Sequence, residues 1–305
     1  MSSDRKVVLV TRRTRLEELV VRHNSVGQAK FYIEHLGADF ADYVLEHDTY
    51  RRALDSCLQR VEPMVRIQQL DRSFLPNFIF APDDIIVTLG QDGLVANTLK
   101  YLDTQPVVAI NPDPTRWDGV LLPFQVQDTA AIVAEALANK RQCKRITMAE
   151  VTLNDGQRLR AVNDLFIGQR THVSARYAIQ HGQLKERQSS SGVIVSTGLG
   201  STGWLRSVLT TARRLEHPDD VPHYEPLPWD KKQLRFVVRE AFPSRATGTE
   251  LIMGQVDKAM PLRIASEMPE GGVIFADGME VDALQFGAGF TAHIQPAAHQ
   301  AVLVV

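Results

Sequence analysis

Cysteine is scarce: the 305 residues hold 2, Cys57 and Cys143. They stand alone and match no metal-ligand spacing, which excludes a disulfide scaffold and a cysteine metal centre and points to a reducing, cytoplasmic setting. No apolar run reaches the roughly 18 residues that a membrane span needs. The opening MSSDRKVVLVT passes straight into a strand-like stretch, where a signal peptide would carry its apolar core. A membrane is therefore not an expected partner. An excess of one charge is missing too, since 34 Lys and Arg against 36 Asp and Glu leave a formal net charge of −2. That gives no field to hold nucleic acid. The 9 histidines are scattered, with no pair at helical metal spacing, and there is no internal repeat or low-complexity tract. What is present is 44% hydrophobic and 23% charged, the composition of a well-packed globular chain. Its 305 residues exceed the usual size of one core and predict two domains.

Along the first half, strand and helix patterns alternate. Val7–Thr11 reads as a strand, and Thr14-Arg15-Leu16-Glu17 as a capping box opening a short helix. Ser25-Val26-Gly27-Gln28 opens a second helix stopped by Gly37, and a longer one spans about Asp39 to Arg60. Val65–Leu70, Asp84–Leu89 and Val107–Ile110 are further strands, with helices after Gly93 and over Thr129–Asn139. Such alternation predicts a mostly parallel sheet covered on both faces, whose ligands bind outside the carboxyl ends of the strands. From Ile146 onward, short strands are broken by turn signals such as Asn154-Asp155-Gly156 and His181-Gly182. The expected fold is an α/β N-terminal domain, 1–139, followed by a β-rich C-terminal domain, 140–305. Proline gathers between Pro218 and Pro228, where an exposed loop is expected.

Chemistry is expected first at Asp84–Leu102, DIIVTLGQDGLVANTLKYL. The β-branched run Asp84–Leu89 is a doubly buried strand, Gly90-Gln91-Asp92-Gly93 ends it, and Val95, Leu99 and Leu102 recur at helical spacing. Glycines let phosphates approach the backbone, and the free N–H groups of a helix start attract anions. A carboxylate there opposes phosphate unless it has a task. Asp92 is either a helix N-cap, or it meets a hydroxyl or Mg²⁺ beside a phosphate in phosphoryl transfer. The spacing leaves both open.

A second strand, glycine loop and helix start lies at Gly192–Ala212, with Thr197-Gly198-Leu199-Gly200-Ser201-Thr202-Gly203-Trp204 at its centre. It matches G-x-G-x-x-G, but no strand ending in an acid follows about 20 residues on, so a dinucleotide-binding βαβ unit is not supported. Trp204 stands where a P-loop needs lysine. Asn163-Asp164 interrupts an otherwise apolar run, Ala161–Gly168, and either a turn or a ribose would satisfy the pair. Asp277-Gly278 carries a hairpin-turn signal.

The order of these pieces, from Gly90-Gln91-Asp92-Gly93 through Asn163-Asp164, Ser190-Ser191-Gly192 and Thr197–Trp204 to Asp277-Gly278, resembles the NAD kinase family. Its marks are a GGDG turn, an Asn-Glu pair, a TxTGS-type loop and a late Asp-Gly. Val10-Thr11-Arg12-Arg13-Thr14-Arg15 and Asn111-Pro112-Asp113-Pro114-Thr115-Arg116 look closest to its mitochondrial-type branch. The resemblance implies a Mg²⁺-dependent kinase that moves the γ-phosphate of ATP to the 2′-hydroxyl of the adenosine ribose of NAD, usually as a homodimer, with the active site between its domains. Asp92 would be the catalytic carboxylate, and Gly90 and Gly93 would shape the phosphate turn. Asn163 and Asp164 would bind the ribose or base. Thr202, Gly203, Trp204 and Ser207 would line the dinucleotide site, with Ser191, Thr197, Ser201, Asn111, Asp113 and Asp277 completing the nucleotide-binding set. Four departures stand out. Gln91 replaces the second glycine of GGDG and Asp164 replaces glutamate, while Ser191 and Met279 stand where many bacterial members have aspartate and glutamine. Lipid kinases of the diacylglycerol kinase type share the GGDG-type turn and form the alternative enzyme reading, and a catalytically weak nucleotide sensor forms a third.

Overall fold

The computed structural model describes residues 5–219 and 224–305 and divides into two compact units, residues 1–144 with 302–305, and residues 145–301. Relative to a division after residue 139, the first unit runs five residues further and takes back the last four residues of the chain. The physical reason is pairing, because Val302 and Leu303 hydrogen-bond in parallel with Pro106 and Val107.

The first unit alternates as its periodicity predicts, with strands β1 (Val7–Thr11), β2 (Ile67–Asp71), β3 (Ile85–Leu89), β4 (Pro106–Asn111) and the short β5 (Phe124–Gln125). Its helices are α1 (Arg15–His23), α2 (Val26–His35), α3 (Phe40–Val61), α4 (Asp92–Leu99) and α5 (Thr129–Leu137). The pairs β1 with β2 and β3, β3 with β4, and β4 with β5 are all parallel. Strands β1, β3 and β4 are buried on both faces, so their apolar runs are continuous rather than alternating. Thr14 and Glu17 close both bonds of the capping box on α1. Ser25 accepts the Gln28 N–H, and α2 stops where Gly37 turns to φ +74° with Ala38 N–H bonded back to Ile33. Asp39 caps α3, which lays Tyr50, Ala53, Leu54, Cys57 and Val61 onto Leu9, Val87, Val108 and Val133.

The second unit comprises most of β6 (Cys143–Leu153), then β7 (Arg158–Ala161), β8 (Asp164–Gln169), β9 (Ala175–His181), β10 (Leu184–Ser190), β11 (Val193–Ser196), α6 (Trp204–Glu216), β12 (Leu234–Val238), β13 (Met253–Val256), β14 (Leu262–Ser266), β15 (Gly272–Ala276), β16 (Met279–Gln285) and β17 (Thr291–Val304) up to residue 301. One antiparallel sheet runs β13-β12-β11-β8-β15-β16, and a second array runs β10-β9-β14-β17. Their facing side chains, among them Leu165, Ile167, Tyr177, Phe236, Ile264, Ile274 and Phe286, form one core. The apolar stripe of α6 covers the other face of the first sheet through Leu205, Val208 and Leu209 against Ile194, Val237 and Phe166. The apolar run Ala161–Gly168 is not one strand, since it breaks at Val162-Asn163 between β7 and β8. Of the proline-rich loop expected after Pro218, residues 220–223 lie outside the described residues. Among the described residues, no helix is long and apolar enough to cross a membrane.

Candidate functional site

In the first unit the carboxyl ends of β1, β3 and β4 deliver Arg12, Gly90–Asp92 and Asn111–Asp113. Gln91, not Asp92, holds the N-cap position of α4, in extended backbone and without a side-chain cap bond. Asp92 is the first helical residue, and its Oδ1 accepts the backbone N–H of Leu121 at 2.7 Å. The carboxylate is thus anchored by a distant loop instead of capping its own helix. At Gly90 a Cβ would come 2.7 Å from Leu94 Cδ2, so a side chain there would make Leu94 shift, whereas at Gly93 a Cβ would face open space. Asn111 is buried and spent internally, its Nδ2 on Trp117 O and its Oδ1 on Asp113 N–H. Asp113 Oδ1 accepts from both the N–H and the hydroxyl of Thr115. These two residues build a turn. Tyr50 ties the edge together, accepting Arg12 N–H and donating to Leu89 O, and burial pushes its phenol up to about 12, so it stays neutral.

In the second unit the residues named from sequence converge where β8 begins and β11 ends. Asp164 lies across from Ser196 in register. Asp277, in the left-handed turn between β15 and β16, accepts the N–H groups of Val162, Asn163 and Asp164 with its carboxylate. It therefore forms the hairpin and also organises the neighbouring bend. Asp164 Oδ1 is buried without a hydrogen-bond partner. Burial is the main reason that its carboxyl is pushed up to about 7; the Ser196 hydroxyl opposes this and the Asp277 charge adds to it. An acceptor in that state is suited to a ligand hydroxyl.

Thr197 and Ser201 are fully buried and turned inward, Thr197 Oγ1 donating to Val162 O and accepting Gly200 N–H, Ser201 Oγ donating to Gly198 O and accepting Leu227 N–H. They hold the loop. Gly198 and Gly200 have no room for a side chain, since a Cβ would stand 2.2 Å from Pro228 O and Asn163 O respectively. Thr202, Gly203, Trp204 and Ser207 remain outward at the start of α6. Trp204 stacks on Phe166 at 5.6 Å, Phe166 stacks on Phe275 at 6.1 Å, and the Arg239 guanidinium lies 5.6 Å from the Trp204 ring. Ser191 is exposed and bound through its N–H to Arg239 O. The arrangement joins an aromatic surface, a helix start and a buried acceptor, the components needed to hold a base, a phosphate and a ribose.

The positions of Leu121, Ser196, Phe166 and Arg239 were not singled out from sequence. Leu121 acts through its backbone 29 residues from Asp92, beyond the Asn111–Arg116 stretch that the sequence marks.

Solved structures share this architecture. Yeast NADH kinase, determined with NADH, superposes with a TM-score of 0.62 over 98% of this chain and 83% of that one, at 14% identity. The NAD kinase of Archaeoglobus fulgidus, determined with ATP, gives 0.58 over 98% and 93%, at 17% identity. The fold is that of the NAD kinases. In sequence, this chain is 30% identical over 129 residues to the NAD kinase of Chlorobium phaeobacteroides, covering 41% of this chain and 44% of the relative. It is 25% identical over 158 residues to NAD kinase 2 of Geobacillus kaustophilus, 50% of this chain and 58% of the relative. With the NAD kinase of Chlorobium limicola it shares 27% over 191 residues, 61% and 60%. The chain thus spans about half the length of the curated relatives it matches. No family model matches it.

Proposed function

We propose that the protein is an ATP-dependent NAD kinase that phosphorylates the 2′-hydroxyl of the adenosine ribose of NAD, with Asp92 as the catalytic carboxylate. The observation that carries this reading is the anchoring of Asp92, which occupies the first turn of α4 but is held by Leu121 N–H and does no capping. In the proposed step Asp92 accepts the proton of the ribose hydroxyl as its oxygen bonds to the γ-phosphorus, and the bond from that phosphorus to the β-bridging oxygen breaks to release ADP. The N–H groups that open α4 are suited to the donor phosphates. Asn163 and Asp164 take the ribose or base, and Trp204 with the start of α6 takes the rest of the dinucleotide.

Among the described residues no cluster of three or more His, Cys, Asp or Glu could hold a metal ion. Mg²⁺ is commonly held by one or two carboxylates together with substrate phosphates, and Asp92 would be such a carboxylate here. When bound, the ion would neutralise charge on the transferred phosphoryl group. Gln91 sits at φ −90° and ψ 168°, backbone open to any residue, so replacing a glycine there does not strain the turn. That favours an active kinase over a sensor. The relation to the mitochondrial-type branch, a homodimer and a cytoplasmic location form part of the same reading.

The test is direct. Purified protein is incubated with Mg²⁺, ATP and NAD, and NADP is measured with an NADP-specific dehydrogenase; parallel reactions replace NAD with diacylglycerol vesicles. NADP formation is expected only with NAD present. Lipid phosphorylation without NADP, or tight NAD binding with no product, would sink the assignment in favour of a lipid kinase or a sensor.

A further inference from the structure

Asp92 takes its orientation from one backbone N–H, that of Leu121, so whatever fixes the loop 112–121 fixes the carboxylate. The loop is gripped in several places. Asn111 spans its first turn, and the N–H groups of Arg116 and Trp117 both bond to Asp113 O at 3.1 Å. Arg116 then reaches out to α3, where its two terminal nitrogens bind the two carboxylate oxygens of Asp42 as a fork. Asp42 also accepts Arg15 Nη2 at 2.6 Å, Arg15 binds Glu46, and Glu46 holds Arg12 at 2.9 Å. The Arg12 guanidinium lies 5.2 Å from the ring of Trp117, so the network returns to the loop one residue beyond Arg116. Gly119, at φ +65° and with no room for a Cβ beside Leu122, makes the final turn, and the buried Leu121 and Leu122 side chains seat its end. The Arg116 and Arg15 hydrogen bonds hold the Asp42 carboxyl far below the usual carboxylate range, so the pair stays charged across working pH.

We propose that the Arg116–Asp42 pair positions the Asp92 carboxylate through the loop that carries Leu121. The inference rests on the reading of Asp92 as the catalytic carboxylate. Arg116 is a positioning residue, since its contacts are with α3 and its own loop and not with Asp92. The side chains of the pair are 24% and 41% exposed. Ion pairs with that much solvent contribute little to global stability, so the effect belongs in turnover and not in melting.

The test compares Arg116→Gln and Asp42→Asn with the unaltered chain in the NADP-forming assay, each also placed on an Asp92→Asn background. Each single variant is expected to lower kcat by about tenfold to a hundredfold, the size of a misplaced catalytic group, with the KM for NAD and the melting temperature nearly unchanged. Arg116→Lys, which keeps the charge but loses the fork, should recover part of the rate. On the Asp92→Asn background, Arg116→Gln should add less than about a twofold loss, because the group it positions is already disabled. Unchanged kcat in Arg116→Gln beside a disabled Asp92→Asn would overturn the positioning role alone, as would equal losses in both backgrounds. Near-unaltered turnover of Asp92→Asn by itself would overturn the reading of Asp92 and this inference with it. Should Arg116→Gln not fold, Asp42→Asn removes the same fork from the α3 side and decides the matter.

Discussion

Two stretches of this chain look alike in sequence, Leu89–Leu94 and Ser196–Leu205, each a buried strand followed by a glycine loop and the start of a helix. Their interiors are built oppositely. At 90–93 the turn is open on the Gly93 side, where a Cβ would meet nothing within 4 Å, and its carboxylate is held from a distance by Leu121. At 197–203 the loop is closed around Thr197 and Ser201, and the backbones of Pro228 and Asn163 press on Gly198 and Gly200. The first turn spends its rigidity on placing one side chain. The second has rigid glycines that let the backbone support an outward surface of Thr202, Gly203 and Trp204.

The largest expected difference comes from Asp92→Asn. The amide oxygen can still accept Leu121 N–H, so the melting temperature should hold, while NADP formation falls by roughly 10²–10⁴-fold for loss of a general base. NAD affinity measured by calorimetry should fall only modestly. Retention of near-unaltered turnover would make the open turn structural, and the contrast with the closed loop would vanish.

A paired glycine test comes next. Gly200→Ala would set a Cβ 2.2 Å from the carbonyl oxygen of Asn163, where backbone and not a flexible side chain must move, so a loss of about 1–3 kcal/mol is expected in denaturant unfolding. Gly93→Ala, in open space on the first turn of α4, should be neutral or stabilising by up to about 1 kcal/mol. Equal effects at the two glycines would contradict the distinction between an open and a closed loop.

Asp164 offers a sharper probe through pH. Its carboxyl is raised to about 7 by burial in the folded state, against about 3.9 when unfolded. The folded chain therefore holds a proton that the unfolded chain releases, and the stability this confers is present below pH 4 and lost as pH rises through 7. Asp164→Asn should abolish that decline, leaving melting near pH 4 unchanged and raising it near pH 8 by the equivalent of at least about 1 kcal/mol. Parallel pH–stability curves for the two proteins would show that Asp164 does not titrate there. The smallest effect is expected at Gln91→Gly, because the backbone at this position already suits any residue; turnover should stay within a few-fold, and a large gain would identify Gln91 as a brake.

Much of this molecule is determined by its sequence alone, because local rules and burial agree along the chain. The capping box at Thr14, the stop at Gly37 and the doubly buried strands β1, β3 and β4 follow from backbone geometry and continuous apolar runs, which act over a few residues. The alternation of strands and helices likewise determined the parallel sheet of the first unit, and the turn signals determined the hairpins of the second. Only the tertiary structure decided which polar side chains are spent and which are available. Asn111, Thr197, Ser201 and Asp277 are consumed in holding backbone, whereas Asp164 keeps an unpartnered oxygen. Leu121, Arg116 and Asp42 reached the candidate site through contacts 29 and 74 residues apart, and the return of Val302 and Leu303 to β4 crosses nearly two hundred. Local propensity carries no record of such partners, because hydrogen-bond satisfaction and close approach of backbones are settled only when distant segments pack together.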